Sequence, residues 1–343
     1  MKPVTISYIA RTAGVSVPTV SKVVNGRSGV AAETRARVEA LISQYGYRKA
    51  GSPQRTNLME LVVDEIEHMW GVEIIRGVQR VVREHRVGLV LTQFGPEPDS
   101  LRYWIDDTIA RHPDCVVAVA QLSEKEQNQL HARGIPFVVL DPAVEFPENV
   151  PFVGATNWAG GRSATRHLIG LGHRDIAMIS GPGHLFCQAR VDGHRSALQS
   201  AGLPPGDVLP APLTEEGGHT AARELLARPN PPTAVFTGND LQAVGVYRAA
   251  RELGLRIPAD LSVVGFDDLP IAGMLEPALT TVHQPLTEMA VAATELALAL
   301  GRGETVSQLG IELATRLVVR SSTTAHPPAD LPVPGRPPAG PQP

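Results

Sequence analysis

Residues 5–26, TISYIARTAGVSVPTVSKVVNG, decide how the chain begins. Thr5 stands before Ile6, Ile9, Ala10 and Ala13, four apolar residues spaced to share one helical face, and a threonine hydroxyl there can accept from the first free backbone amides. Gly14 follows, a residue that enters the left-handed conformation at a helix end without a Cβ penalty. Ser16 reads as the cap of a second helix, Val17 to Asn25, with Pro18 in its first turn, where a missing N–H is harmless. Val20 and Val24 are expected to point inward, and Asn25-Gly26 stops the helix. A third helix, from about Ala32 to Gln44, carries Val38, Leu41 and Ile42 as its apolar stripe. Two short helices joined by a glycine-containing turn and backed by a third form a helix-turn-helix, and a helix of this size fits the major groove. A plain three-helix cap without a partner is the competing reading. The polar outer face of helix two, with Ser16, Thr19, Ser21 and Lys22, weighs against it.

Charge points the same way. The 343-residue chain has a net charge of −4, but residues 1–56 hold nine Lys/Arg against two Asp/Glu, while the remainder holds 22 against 33. A head of +7 on a body of −11 is the electrostatic layout of a nucleic-acid reader joined to a regulatory domain. Only Cys115 and Cys187 are present, both in apolar surroundings, which fits a reducing cytoplasm and small core residues. Met1 to Ala10 has no apolar run of the signal-peptide kind, and no stretch approaches the 18 apolar residues of a membrane span. A cytoplasmic, nucleoid-associated protein is the expectation.

Past a basic, Gly/Pro-containing segment, RKAGSPQRTN at 48–57, the pattern changes. Short apolar runs at 58–63, 88–93, 115–120, 136–141, 175–180, 233–238 and 261–266 alternate with helix-length segments. Continuous apolar strands separated by helices imply parallel sheets covered on both faces. Seven such units exceed one sheet core, so two doubly wound α/β lobes are expected. The expected boundaries are a head at 1–50, a linker at 51–57, a body at 58–325 and a proline-rich tail at 326–343 that forms no oligomerising helix.

Five stretches carry a resemblance: AGVSVPTVSKVVNG at 13–26, ETRARVEALISQYGYR at 33–48, LGHRDIAMISGP at 171–182, the run from Pro232 to Asp268, and LTTVHQPLTEM at 279–289. Their length and order over residues 2 to about 324 make the chain similar to the lactose/galactose repressor (LacI/GalR) family. The resemblance implies a homodimeric regulator that binds a pseudo-palindromic operator in double-stranded DNA through helix two. It implies base contacts from Ser16, Val17, Pro18 and Lys22, and phosphate contacts from Thr5, Thr19, Ser21 and Asn25. The chemistry agrees: Lys22 can donate to guanine O6/N7, and Val17 and Pro18 can pack on a thymine methyl. Family members carry a hinge helix with a minor-groove leucine after the head. Here AGSPQRTN contains Gly51 and Pro53 and no leucine before Leu58, so little DNA bending is expected, with Arg48, Lys49 and Arg55 either tracking the phosphates or sitting in the groove as charges.

The body resembles the periplasmic sugar-binding fold, and strand ends facing a crevice are the usual ligand site in such sheets. The resemblance places Asp141, Arg190, Asn239 and Asp267 on a small-molecule effector and puts Trp70 against it, with lobe packing an equal reading for Trp70. Carboxylate, amide and guanidinium groups bond paired hydroxyls, and an aromatic face covers sugar C–H groups, so a sugar is the expected effector. Asp240 and Asp268 are assigned to helix capping. A purine or a phosphorylated sugar is the alternative ligand; a phosphate would want a second cation near Arg190, but positions 191 and 192 are Val and Asp, which favours a neutral sugar. Enzyme readings lack their motifs. SGPGHLF at 180–186 has Phe186 where a dinucleotide fingerprint needs its third glycine, and neither GxSxG nor a P-loop occurs. The eleven histidines show no ligand spacing, so neither metal nor cofactor is expected. A secreted sugar-binding protein would not carry the basic head.

Overall fold

The structure, a computed structural model, describes residues 5–24, 29–45, 56–63, 69–93, 100–119, 122–145, 147 and 149–326. The chain divides into two compact units, Met1–Thr56 and Asn57–Pro343. In the first, α1 (Ile6–Ala13), α2 (Val17–Val24) and α3 (Ala32–Tyr45) pack around Ile9, Ala10, Ala13, Val20, Val23 and Val38. Thr5 caps α1 through its hydroxyl, which accepts from the Tyr8 amide at 3.2 Å. Gly14 ends α1 at φ +68°, and its amide donates back to Ala10 and Arg11. Ser16 accepts from the Thr19 amide at 3.3 Å, which starts α2 on the expected residue. Val23 is fully buried where Val24 was expected, and Val24 packs beside it half-buried. Asn25 and residues 46–55, including Arg48, Lys49 and Arg55, lie outside the described residues, as do the linker reading and the expected absence of a hinge helix.

The second unit has two lobes. The first contains β1 (Leu58–Val63), α4 (Met69–His85), β2 (Gly88–Gln93), α5 (Ser100–Arg111), β3 (Cys115–Ala118), α6 (Glu124–Ala132), β4 (Phe137–Leu140) and β5 (Phe152–Ala155). The chain then crosses into α7 (Asn157–Gly170), β6 (Ile176–Ser180), α8 (Leu185–Ser200), β7 (Val208–Pro210), α9 (Glu215–Leu226), β8 (Ala234–Thr237), α10 (Asp240–Glu252), β9 (Ser262–Asp267), α11 (Pro270–Met274) and β10 (Thr280–His283). It returns for α12 (Leu286–Gly301) and β11 (Gly310–Leu313), then crosses again to end in β12 (Arg316–Val318). The sheet orders are β11-β5-β4-β3-β1-β2 and β12-β10-β9-β8-β6-β7. Every pairing is parallel except β12 on β10. The fold class read from the sequence therefore holds: an all-α head and two parallel-sheet α/β lobes.

The seven apolar runs all became strands: two keep their expected ends, and the others shorten or shift by one or two residues. Five strands escaped the reading. β5, β7, β10, β11 and β12 are three or four residues long and contain Gly, Thr, Pro, Glu or Arg, so they carry no continuous apolar signal. The three crossings also left no local mark, because each is made by one or two residues. Thr156 and Thr315, from two of these crossings, tie them together: the Thr315 amide donates to Thr156 Oγ1 at 2.9 Å, and the two hydroxyls lie 3.1 Å apart.

Glu60, fully buried in β1, accepts from Thr92, Trp104, Thr108 and Arg111 at 2.7–3.0 Å, a set that fastens α5 and β2 to the first sheet. A carboxylate in a core is tolerable only when its acceptors are met in this way. His326 was read as the first tail residue, but its amide donates to Leu171 O at 2.8 Å and its ring stacks on His173, so it belongs to the body. Residues 327–343 lie outside the described residues.

Candidate functional site: a DNA-facing helix and an interlobe cleft

On the head, α2 divides cleanly by burial. Val20 and Val23 point into the core, while Ser16, Val17, Pro18 and Lys22 are exposed, and Thr19 and Ser21 are half-buried. Pro18 and Lys22 are four residues apart, as are Val17 and Ser21, so they occupy one arc opposite the buried valines. The arc combines one cation, one hydroxyl residue and an apolar edge, groups that read guanine, phosphate and thymine methyl in a major groove. Thr19 is also part of the α2 cap, its hydroxyl 2.8 Å from that of Ser16. Thr5 is exposed at the start of α1 and is likewise engaged in a cap.

In the body, Trp70, Asp141, Arg190, Asn239 and Asp267 all line one cavity of about 450 Å3. The sheet order explains how residues so far apart in sequence meet there: Trp70 and Asp141 come from elements next to the C-terminal ends of first-lobe strands, and Asn239 and Asp267 from strand ends in the second lobe. Arg190 reaches in from α8. Its Nε donates to Asn157 Oδ1 at 2.8 Å, Nη1 to Gly238 O at 2.6 Å, and Nη2 to Gln284 Oε1 at 2.9 Å. The guanidinium also stacks on Phe266, 3.7 Å from the ring centroid. Three hydrogen bonds and an aromatic face fix the fork, and of its five N–H groups two remain for other acceptors.

Two acidic residues face this single cation. Asp267 Oδ1 is 3.6 Å from Arg190 Nη2 but accepts no hydrogen bond among the described residues. Burial pushes its carboxyl up to about 7. Arg190 opposes that shift, and Asp141 adds to it. Asp141 is raised as well, by burial first, with Arg190 and a hydrogen bond from Gln284 pulling it down. Asp267 adopts φ +105° and Asp141 φ +53°, backbone conformations that side-chain-bearing residues rarely hold and that concentrate at functional sites. Trp70 packs half-buried on the first-lobe core and also lines the cavity.

Two assignments change, those of Asp240 and Asp268. Asn239, not Asp240, caps α10, accepting from the Gln242 amide at 2.9 Å, and its Nδ2 donates to Leu213 O at 3.0 Å. Asp240 lies inside the helix, fully buried, bonded to Thr281 Oγ1 at 2.6 Å and to the Leu269 amide at 2.7 Å. It thus ties α10 to β10 and to the start of α11. Asp268 caps nothing: Leu269 is the N-cap of α11, and the Asp268 carboxylate bonds Arg320 at 2.6 Å and His283 at 3.0 Å. The adjacent carboxylates 267 and 268 therefore diverge.

Gln284 is the main residue the sequence reading missed. It sits in the crossing between β10 and α12, donates to Asp141 Oδ2 at 3.2 Å and accepts from Arg190, so one amide joins a polar residue of each lobe. Its position beyond a strand end was available as a signal; its partners were not.

Residues 5–49 match the bacterial regulatory proteins, lacI family, and residues 165–323 match the periplasmic binding protein-like domain. The ribose operon repressor of Escherichia coli (strain K12) is 31% identical over 328 residues, which is 93% of this chain and 99% of that protein. The chain belongs to the LacI family of bacterial regulatory proteins. It is thus a DNA-binding transcription regulator, and the helix-turn-helix and cleft are the two sites such a protein needs. Two solved LacI-family structures share the fold. One is the transcriptional regulator CelR in complex with cellobiose, with a TM-score of 0.73, 33% identity, and coverage of 93% of this chain and 99% of that one. The other is the lac repressor dimer bound to operator and the anti-inducer ONPF, with a TM-score of 0.70, 26% identity, and coverage of 94% and 100%.

Proposed function

We propose that this protein is a homodimeric, cytoplasmic and nucleoid-associated repressor that reads an operator through α2, and whose operator affinity is set by a sugar held in the interlobe cleft. Thr5, Ser16, Val17, Pro18, Thr19, Ser21, Lys22 and Asn25 serve DNA, and Trp70, Asp141, Arg190, Asn239 and Asp267 serve the effector. The observation that carries the reading is the single cavity lined by all five of those effector residues. Their chemistry suits a neutral polyol. A prepositioned guanidinium with spare donors and two carboxylates can take up paired hydroxyls, while a tryptophan covers the ring. Two carboxylates against one cation repel a phosphorylated ligand. The named relatives are a ribose operon repressor and a regulator in complex with cellobiose, which supports a sugar as the effector.

The protein works by binding and has no catalytic step, cofactor or metal in this account. The effector shifts operator affinity only to the extent that it binds the two states unequally. Thermal-shift screening of neutral sugars tests the reading. A ligand at 100 times its Kd stabilises by roughly 2.7 kcal/mol. A stabilising sugar should lose its effect in Arg190→Ala while the head still binds DNA. Stabilisation by phosphorylated sugars alone would refute the neutral-ligand assignment.

A further inference from the structure

We propose that the first amide of α8 is a latch across the effector cleft: the Leu185 N–H, bonded to a carbonyl of the opposite lobe, holds the two lobes together on one side of the cavity, and its release opens that side to solvent. The inference concerns access to the cleft, and it holds whichever molecule the cleft takes.

Three observations carry it. First, Leu185 starts α8 in the second lobe, and its amide donates to Ala143 O of the first lobe at 2.8 Å. Ala143 follows β4 and lies outside the three crossings, so this bond spans the gap between the lobes rather than the hinge. Gln284 makes another bridge two residues away, to the Asp141 carboxylate, but from within a crossing. Second, α8 itself offers that amide nothing. The opening amides of a helix have no acceptor inside it, and the bond from Gln188 N to His184 O is the one that begins the helical ladder. His184, the N-cap, makes no side-chain cap, and the first turn holds no acidic residue. The opposite lobe therefore supplies the acceptor, and separating the lobes returns the amide to water. Third, the bond stands on a partition. Ala143 and His184 line the cavity of about 450 Å3 that holds Arg190, Leu185 lines a neighbouring cavity of about 470 Å3, and Asp141 and Phe186 line both. The Phe186 ring lies 5.2 Å from the Arg190 guanidinium and 5.3 Å from the His184 ring. A shift of this first turn moves the partition and uncovers Arg190. The Leu185 side chain is 38% exposed, so the backbone rather than the side chain makes the tie.

Because the latch is a backbone N–H, one substitution removes it alone. Proline lacks the N–H and is favoured at the first position of a helix. His184 already holds φ −72° and ψ 147°, the conformation a residue before proline adopts. Leu185→Pro thus deletes the donor and keeps α8, while Leu185→Ala cuts back the same side chain and keeps the donor.

The test reads acrylamide quenching of Trp70, which lines the cleft, and needs no ligand. It uses the full chain carrying Trp158→Phe, in which the other remaining tryptophan, Trp104, is only 3% exposed. Leu185→Pro should raise the quenching constant of this parent at least twofold, and Leu185→Ala should leave it unchanged, with melting curves verifying that both fold. A proline variant quenched no more than the alanine variant would overturn the latch. Hydrogen exchange on the unsubstituted chain gives a second reading that does not depend on any variant folding. The Leu185 amide should exchange at least tenfold more slowly than a solvated amide between the same neighbours, and exchange at the solvated rate would overturn the proposal as well.

Discussion

Asp267 carries the sharpest chemistry of the cleft: a buried carboxyl with one oxygen unbonded, a shared cation 3.6 Å away, and a second acid, Asp141, beside it. Its proton is held up to about 7 in the folded chain, against an ordinary value of 3.8. Between those values the folded protein holds more protons than the unfolded one, so this residue's contribution to stability declines as pH rises from 4 to 7 and is level above that. Asp267→Asn mimics the protonated form. It should gain on wild type progressively over that interval, by an amount on the order of a few kcal/mol at pH 8. Chemical denaturation at several pH values reads this directly, and a difference that stays constant with pH would mean that Asp267 is ionised throughout. On the head, Lys22 offers the one cation of the exposed α2 arc. Lys22→Ala should cost roughly 1–3 kcal/mol of operator affinity and relax discrimination at one base pair if it reads a guanine. Anisotropy titrations against matched and mutated duplexes would show both effects; equal weakening on every duplex would make it a phosphate contact instead.

At the scale of elements, the pairing of α7 with α8 sets where Arg190 stands. The helices approach so closely that a Cβ on Gly161 would lie 2.2 Å from Arg190 O, and one on Gly193 2.1 Å from Trp158 O. Gly161→Ala should therefore destabilise the body by roughly 1–3 kcal/mol and weaken effector binding with it, because α8 must move. Urea unfolding of the body gives the first number, and an unchanged midpoint would show that the helices separate without penalty. Thr5→Ala removes the cap of α1 and should cost about 1 kcal/mol in the head alone. Elements of this kind were readable in advance where a local pattern dictated them. Thr5, Gly14 and Ser16 mark helix ends by backbone chemistry, and LMELVV and GLVLTQ read as apolar strands between helices, the first buried and the second a half-buried strand at the sheet edge. β10, reading TTVH, was not readable, because its two threonines are buried by partners from β9, α10 and the C-terminal segment rather than by their own hydrophobicity. Asp240 was misjudged for the same reason: a carboxylate at a helix start looks like a cap until the strand beside it supplies Thr281.

For the whole molecule, the governing feature is a cleft whose walls come from strands far apart in sequence and whose lobes are joined by three crossings. Resemblance supplied Trp70, Asp141, Arg190, Asn239 and Asp267 as a set, and the fold brings all five to one cavity. Gln284 was not in that set, because its role depends on reaching Asp141 and Arg190 at once across the lobes. Gln284→Glu would put a third carboxylate against one guanidinium and lose the donor to Asp141. Effector affinity should fall while operator affinity without effector is retained, and equal loss of both would give Gln284 a purely structural role. The asymmetric charge, +7 on residues 1–56 against −11 on the rest, makes operator binding fall steeply with salt. The central claim is that one chain couples these two sites. Footprinting the purified protein on the DNA upstream of its own gene, with and without the sugar that stabilises it, addresses that claim most directly. A protected, pseudo-palindromic site is expected, with a half-saturation concentration that moves at least fivefold when the sugar is added and stays fixed in Arg190→Ala. Protection that is identical with and without a sugar known to bind the cleft would contradict it.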